Sequence, residues 1–271
     1  MRALYVDLDA TLLGPGGVLL RGADGAFSLR GVRALEACDR AGVEVVLMSG
    51  RRQAQVMEDA RLIGQTSYIF EAGSCVVLDG EEHWLTGEIM PGEAGTIHDQ
   101  IEASGAPALL LERYDGRLEY HDPWHRNREV SHLFRGLVNA AEADALLAEH
   151  GHGALRLVDN GGVHRRAPRL VARDEGRAYH LLPRGAAKAN GVARHMRARG
   201  LSAPDAIAVG DSREDLETAA HVGTFWFVAN ALERDPTLRE AVAGRPNVRV
   251  AEASYGAGVY EAVVTTLATR A

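Results

Sequence analysis

The length, composition and charge of this chain limit the functions that it can have. Its 271 residues, 46% of them hydrophobic and 25% charged, suffice for one large globular core and a smaller domain. A formal net charge of -7 without a basic run disfavours nucleic acid and anionic membranes as partners. No apolar stretch approaches the length of a membrane span, and Met1 leads directly into the first predicted strand without a signal pattern. We therefore expect a cytoplasmic protein, and the sequence indicates no oligomeric state.

The first predicted strand ends in two acidic residues. The apolar run Ala3-Leu4-Tyr5-Val6 leads into Asp7-Leu8-Asp9-Ala10-Thr11, and the alternation of side chains along a strand puts Asp7 and Asp9 on one face. One carboxylate can then attack a substrate while the other handles protons, and both can face a single metal ion. An acidic turn after a strand is the alternative explanation of this segment.

The second predicted strand ends in a small hydroxyl residue and a glycine. A helix near residues 29–41, with Ser28 as its predicted cap, precedes the strand Val43 to Met48 and the sequence Ser49-Gly50-Arg51. Free backbone N–H groups at such a strand-to-helix junction receive anions well, and a glycine lets the backbone approach closely. Ser49 and Gly50 are therefore candidate phosphate contacts, although Ser-Gly is also ordinary turn chemistry.

The spacing of the candidate residues predicts an inserted domain. About forty residues separate Asp7 from Ser49, whereas about one hundred and forty separate Ser49 from Lys188. The second interval begins with a predicted helix at 52–63, a strand at 68–70 and a hairpin at 75–85. A unit of mixed strands and helices follows. We predict a core domain formed by residues 1–87 and 184–271, and an α/β cap domain of residues 88–183.

The predicted cap contains several short elements and two clusters of polar and aromatic residues. Its predicted elements are strands at 109–111, 118–120, 154–158 and 178–182 and a helix at 142–149. The first cluster is His121 to His125 with Arg126 and Arg128, and the second is Asn160 to Arg166. Trp124 can stack on a sugar ring, and arginines can hold a second anionic group of a substrate. The alternative is that both clusters are exposed turns, since Asn-Gly-Gly is typical of a hairpin.

Two further segments carry candidate residues near the C-terminal end of the core. Lys188 is the only lysine of the chain. A compact ammonium that must contact a carboxylate and a phosphoryl oxygen is poorly replaced by a broad guanidinium, so this lysine is a candidate site residue. The apolar strand at 206–209 ends in Gly210-Asp211, and Asp215 lies one helical turn further on. Such hard oxygen ligands suit Mg²⁺.

These four segments, in this order, resemble the four motifs of the haloacid dehalogenase (HAD) superfamily. The resemblance implies an α/β fold with a doubly wound parallel-sheet, Rossmann-like core. A cap inserted after the third core strand resembles subclass IIB, the Cof-like and sugar-phosphatase group. The resemblance implies that Asp7 is the nucleophile, that Asp9 is the general acid and base, and that Lys188 is a catalytic residue that steadies Asp7. It also implies substrate contacts by Thr11, Ser49, Gly50 and Lys188, and metal contacts by Asp7, Asp9, Asp211 and Asp215.

At some positions the residue differs from the pattern of this family, and at others the residue has two alternative roles. Ala10 stands where glycine is usual, so its backbone must avoid a left-handed conformation or tolerate strain. Glu214 stands where many relatives with such a cap carry Asn. Asp215 is either a direct metal ligand or a partner of Lys188. Asn230-Ala231 is similar to a pair common in Cof-like relatives, or it is an ordinary loop sequence.

The sequence therefore predicts a Mg²⁺-dependent phosphatase with an aspartyl-phosphate intermediate. Its expected partner is a small phosphorylated metabolite, either a sugar phosphate or a glycosyl phosphoglycerate. One alternative is a phosphomutase of sugar phosphates, which would have to exclude water from the acyl phosphate. The other is a non-catalytic sensor that binds phosphate.

Overall fold

The computed structural model describes residues 1–163 and 176–269, so His164, Arg165 and Arg166 of the second cap cluster lie outside the described residues. The strands are β1 Ala3–Asp7, β2 Glu44–Met48, β3 Tyr68–Phe70, β4 Cys75–Leu78, β5 Glu81–Trp84, β6 Leu118–Tyr120, β7 His132–Gly136, β8 Leu155–Gly162, β9 Arg177–Pro183, β10 Ala206–Gly210, β11 Thr224–Phe227 and β12 Val248–Val250. The helices are α1 Arg30–Arg40, α2 Gln53–Leu62, α3 Ile97–Ala103, α4 Ala106–Arg113, α5 Ala140–Glu149, α6 Lys188–Arg199, α7 Arg213–Leu216, α8 Ala229–Arg234, α9 Leu238–Val242 and α10 Tyr255–Ala268.

The larger sheet has eight strands in the order β12-β11-β10-β1-β2-β3-β4-β5. The six strands from β12 to β3 run parallel, and β4 and β5 add an antiparallel hairpin at one edge. The chain moves outward from β1 to β3 and later returns on the other side of β1 with β10, so the strand order reverses between β1 and β10. Ligands of open α/β sheets bind at the carboxyl ends of the strands at such a reversal.

The central strands form a rigid base for that edge of the sheet. Every residue of β1 and β10 is buried, as expected for parallel strands that are covered on both faces. Helices α1 and α10 pack against each other. Close contacts require the small residues at this crossing, because a side chain on Gly256 would approach the Gly31 backbone within 3.0 Å. The strand ends therefore hold their side chains in fixed positions.

The smaller sheet has four antiparallel strands in the order β6-β7-β9-β8 and its own apolar core. Phe134 of β7 and Tyr179 and Leu181 of β9 are buried in that core. The prediction of a doubly wound core with an inserted α/β cap is confirmed, and the domain boundaries after residues 87 and 183 stay a prediction. No helix within the two described ranges combines the length and apolar character that crossing a bilayer requires.

One predicted strand of the cap is wrong. The run Leu109 to Leu111 lies inside α4, which follows Gly105 in a left-handed conformation and has Pro107 in its first turn. Proline fits the first turn of a helix because its missing N–H would have no partner there. A run of three leucines has no period that separates a strand from a buried helix. Only the flanking Gly105 and Pro107 indicated the helix.

Candidate active site

Six of the predicted site residues line one cavity of about 480 Å³ at the carboxyl edge of the large sheet. They are Asp7, Asp9, Ser49, Gly50, Lys188 and Asp211. The ends of β1, β2 and β10 and the first residue of α6 contribute them. Of the other two, Asp215 is fully buried beside Lys188, and Thr11 is fully buried with no hydrogen-bond partner for Oγ1 within the described part of the chain. The structure therefore brings the four sequence segments together around a common space.

Lys188 connects three carboxylates beneath this cavity. Its Nζ donates to Asp7 Oδ1 and to Asp215 Oδ1, both at 2.8 Å, and lies 3.9 Å from Glu214 Oε2. Burial works to lower the pKa of Lys188, but Asp215 and Asp7 outweigh burial and hold that pKa well above its usual range. The ammonium group therefore stays charged in a buried position, where its effect on a nearby anion is strong.

Three carboxylates form a cluster that fits a divalent cation. Oxygens of Asp7, Asp211 and Asp215 all lie within 4.8 Å of one another. Burial raises the pKa of Asp7 well above its usual range, with Asp215 and Asp211 adding to the rise and Lys188 opposing it. Burial and then Asp215 raise the pKa of Asp211 to about 7. Burial, together with the neighbouring carboxylates, therefore disfavours the ionised cluster, and a hard cation such as Mg²⁺ would offset this cost.

The hydrogen bonds of Asp215 separate it from the other two carboxylates. Its Oδ2 accepts from Asp211 N at 3.1 Å, from Ser212 N at 3.0 Å and from Ser212 Oγ at 2.7 Å, while Oδ1 accepts from Lys188. Within the described ranges, Asp7 Oδ2 and Asp211 Oδ1 accept no such bond from protein groups. Asp215 therefore orders the loop and Lys188, whereas Asp7 and Asp211 each keep an oxygen for a ligand.

Asp9 faces the cavity but stands apart from the carboxylate cluster. Both of its oxygens accept from Arg51, through Nε and Nη2, at 2.7 Å each. Arg51 also donates to Asp59 at 3.0 Å, and 57% of the Asp9 side chain is exposed. The paired guanidinium holds Asp9 in a fixed orientation at the mouth of the site. Arg51 directly follows the predicted phosphate contacts, and this adjacency was the signal for it in the sequence.

The end of β2 is shaped for an anion. Ser49 Oγ accepts from Arg51 N at 3.1 Å, which leaves the hydroxyl hydrogen of Ser49 to donate into the cavity. The absence of a side chain at Gly50 is required by the cap. A Cβ there would lie 2.9 Å from His180 Nε2 and 3.0 Å from Asn160 Nδ2. The cap therefore closes directly over the predicted phosphate contact.

Ala10 adopts the left-handed conformation that glycine usually provides, with φ of 64°. Asn230 holds this turn, because its Nδ2 donates to Ala10 O at 2.8 Å. Asn230 Oδ1 accepts from Tyr255 N at 2.9 Å, and Tyr255 also has a positive φ of 53°. The buried Asn230 side chain thus stabilises two strained backbone positions, one of them next to Asp9, the predicted general acid and base.

Asn230→Ala should lower the free energy of unfolding by about 1 to 3 kcal/mol, because two partly buried backbone groups lose their hydrogen-bond partner. Urea unfolding followed by circular dichroism measures this change. Asn127→Asp, at an exposed position of the cap that tolerates a positive φ, is the control and should leave the midpoint in place. A loss below about 0.5 kcal/mol for Asn230→Ala would contradict the supporting role.

Glu214, which replaces the usual Asn, is buried against Lys188. Neither of its oxygens has a hydrogen-bond partner among the described residues. Burial raises the pKa of Glu214 to about 7, while Lys188 opposes the rise. Among the described residues, the ion pair with Lys188 at 3.9 Å is therefore the one polar contact of the Glu214 carboxylate.

Arg234 was not found from the sequence, whereas Arg128 and Trp124 were among its candidate contacts in the cap. Arg234 of α8 donates to Asp211 Oδ2 at 2.7 Å and to Gly162 O of the cap at 2.8 Å. Arg128, which the sequence suggested as an anion contact, is buried and donates to Gly50 O at 3.1 Å. Trp124, the candidate sugar contact, lines the cavity and is 47% exposed, and its role stays a prediction. The contacts of Arg234 join segments far apart in the chain, so no spacing rule signals them.

Comparison with known proteins identifies the fold. No protein-family model matches this sequence, and no curated protein matches it. Among solved structures, a protein of Thermoplasma acidophilum is 19% identical with a TM-score of 0.64, and the sucrose-phosphatase of Synechocystis is 15% identical with a TM-score of 0.63; each comparison covers 98% of both chains. A HAD subclass IIB sugar phosphatase is 16% identical with a TM-score of 0.59, over 100% of this chain and 98% of that chain. The chain has the fold of HAD-superfamily hydrolases, as its four motifs implied.

Proposed function

We propose that this chain is a Mg²⁺-dependent phosphatase that hydrolyses a small phosphorylated metabolite, a sugar phosphate or a glycosyl phosphoglycerate. One observation carries the proposal: a buried ammonium group, Lys188, contacts the predicted nucleophile Asp7 at the wall of a cavity that also receives Ser49, Asp9 and Asp211. Phosphoryl transfer depends mainly on positioning and on positive charge around the phosphoryl oxygens, and this arrangement offers both. The phosphatases among the solved structures of the same fold support the proposal.

The proposed reaction has two steps. An oxygen of Asp7 attacks phosphorus, the ester P–O bond breaks, and the departing oxygen takes a proton that Asp9 acquires from solvent after it leaves Arg51, so that an acyl phosphate forms on Asp7. Asp9 then takes a proton from water as the water oxygen attacks phosphorus, which releases inorganic phosphate and restores Asp7. Lys188 donates to a phosphoryl oxygen in both steps. Asp9 must release Arg51 before each of these proton transfers, because both of its oxygens accept from that guanidinium.

The oxygen atoms of the carboxylate cluster are suitable ligands for Mg²⁺. We propose that Asp7 and Asp211 would hold Mg²⁺, since each keeps an oxygen without a donor in the described structure, and that Asp215 would support them through Lys188. Asp9, whose carboxylate is paired with Arg51, would act through proton transfer. Bound Mg²⁺ supplies positive charge that offsets the repulsion between an anionic nucleophile and an anionic phosphate.

Release of inorganic phosphate from a panel of phosphorylated metabolites tests this function. We expect release with Mg²⁺ and loss of release with EDTA, because the clustered carboxylates then repel the substrate; added Mg²⁺ should restore the rate. Mg²⁺ alone should also raise the melting temperature, and Asp211→Asn should reduce that rise. Release that requires a bisphosphate activator would instead indicate a phosphomutase. Ligand binding without release from any ester would indicate a sensor.

A further inference from the structure

One arginine of the core contacts both a candidate metal ligand and the cap. Arg234 is the last residue of α8, and its two terminal nitrogens have different partners. Nη1 donates to Asp211 Oδ2 at 2.7 Å, and Nη2 donates at 2.8 Å to the carbonyl oxygen of Gly162, which ends the cap strand β8. A guanidinium is planar and rigid, so the acceptor of one nitrogen also sets the direction of the other. The position of the cap strand therefore affects how Arg234 meets Asp211.

Arg234 holds the Asp211 carboxylate by one oxygen and leaves the other oxygen to the carboxylate cluster. Oδ2 accepts from Arg234, whereas Oδ1 accepts no hydrogen bond from protein groups within the two described ranges. Asp211 contributes an oxygen to the cluster with Asp7 and Asp215. A charge-assisted hydrogen bond to one oxygen fixes the orientation of a carboxylate, and hence the direction in which its second oxygen points. Arg234 therefore determines where Asp211 can present a ligand atom to a cation.

The backbone of α8 is fixed to the core and not to the cap. Asn230, one helical turn before Arg234, is buried; it donates to Ala10 O at 2.8 Å and accepts from Tyr255 N at 2.9 Å. A movement of the cap would therefore carry Gly162 O away while the backbone of Arg234 stays in place. The guanidinium would then have Asp211 alone as its acceptor, in a partly exposed pair that holds its geometry weakly.

The cap meets the core through a second contact of a different kind. Glu71 of the core accepts from the backbone N of Ser131 at 2.6 Å and lies 3.6 Å from Arg128, and both charged side chains are buried. Separating a buried ion pair is strongly unfavourable. The contact through Arg234 is a single hydrogen bond to the cap from a side chain that is 24% exposed. If the cap opens, we therefore expect it to separate from α8 before it separates from Glu71.

We propose that Arg234 is a positioning residue, which orients Asp211 for Mg²⁺ when the cap is closed. With β8 in place, Gly162 O holds one side of the guanidinium, and the other side holds Asp211 with a free oxygen in the carboxylate cluster. Since a closed cap then favours cation binding, a bound cation must favour the closed cap to the same extent. The inference rests on the proposed Mg²⁺-dependent phosphatase function and deepens it, because it assigns the link between the cap and the cation.

The first test measures the affinity for Mg²⁺ without any substrate. Arg234→Lys keeps the positive charge beside Asp211 but replaces two nitrogens in a fixed plane with one compact ammonium. We expect the Kd for Mg²⁺ from isothermal titration calorimetry to rise on the order of tenfold, within the usual range of coupling between two sites. Arg245→Lys, the same exchange at an exposed position of the core, should leave the Kd unchanged. An equal or lower Kd for Arg234→Lys would overturn the inference.

The second test measures the position of the cap relative to the core. Spin labels on Glu149→Cys, at the exposed end of the helix α5 that packs against β8, and on Glu240→Cys, exposed on α9, report the distance between the two domains by pulsed electron paramagnetic resonance. The native Cys38 and Cys75 are fully buried and should stay unlabelled. Mg²⁺ should narrow the distance distribution when Arg234 is present and should leave it unchanged in Arg234→Lys. Equal responses in both proteins would contradict the link through Arg234.

These measurements separate the role of Arg234 from the proposed function itself. Melting curves of every variant in EDTA show whether a weaker affinity for Mg²⁺ comes from a loss of folding. A protein that binds Mg²⁺ and releases phosphate, but has the same Kd and the same distances with Arg234→Lys, would keep the phosphatase function and lose this inference. Absence of Mg²⁺ binding to the unmodified protein would instead remove the cation from the proposed function, and the role of Arg234 with it.

Discussion

Asp7→Asn should abolish phosphate release while the protein stays folded. An amide does not form the acyl phosphate, so the rate should fall by a factor on the order of 10⁴ or more, as for other nucleophiles removed from an active site. The fold should persist, because an Asn Oδ1 still accepts from Lys188 Nζ, which lies 2.8 Å from Asp7 Oδ1. The change also removes one negative charge from a cluster in which burial and neighbouring acids raise the pKa of Asp7.

Single-turnover assays with an active substrate measure the rate of phosphate release, and melting curves measure whether the variant stays folded. Asp115→Asn makes the same chemical change at an exposed turn of the cap and should keep both the rate and the melting temperature. Phosphate release by Asp7→Asn within a hundredfold of the unmodified protein would contradict the nucleophile assignment. A large fall in melting temperature would show that the ion pair with Lys188 is needed for folding, and Asp7→Glu would then separate stability from positioning.

The core domain could be predicted closely because its elements have strong local signals. The strand Tyr68–Phe70 and the hairpin of Cys75–Leu78 and Glu81–Trp84 match their predicted positions, since Asp79-Gly80 is a characteristic turn between apolar runs. The predicted strand in the cap at 109–111 failed because its apolar residues are consecutive. The strand His132–Gly136 was missed, because the polar residues His132 and Arg135 flank Leu133 and Phe134 and all of them are buried, so apolar and polar residues do not alternate.

The residues of the candidate site likewise include some that the sequence pattern predicts and some that it does not. Asp7, Ser49 and Asp211 follow apolar strands directly, and parallel strands bring their carboxyl ends to one edge, so their convergence follows from the pattern. Glu71 and His180 could not be found, because their environment arises from contacts between the core and the cap. Glu71 has a positive φ of 42° and binds backbone groups about sixty residues away, which no periodicity records.

Lys188→Arg should weaken transition-state stabilisation by about 2 to 4 kcal/mol. This loss corresponds to a value of kcat/KM that is lower by roughly thirtyfold to a thousandfold. Lys188 Nζ contacts Asp7 and Asp215 at once, and a planar guanidinium is too broad to reproduce both contacts and still reach the phosphoryl group. The start of α6 cannot retreat to make room, because even a Cβ on Gly73 would lie 2.4 Å from Lys188 N. The charge is kept, so the neighbouring carboxylates stay compensated.

The reverse exchange Arg197→Lys, at an exposed position of the same helix, is the control and should change neither rate nor stability. Lys188→Met provides the complementary comparison. It leaves Asp7, Asp215 and Glu214 buried without their cation and should lower the free energy of unfolding by about 3 to 5 kcal/mol, as when one partner of a buried ion pair is removed. A Lys188→Arg rate within threefold of the parent would show that positive charge alone suffices, and the contact geometry of the only lysine would then have no catalytic role.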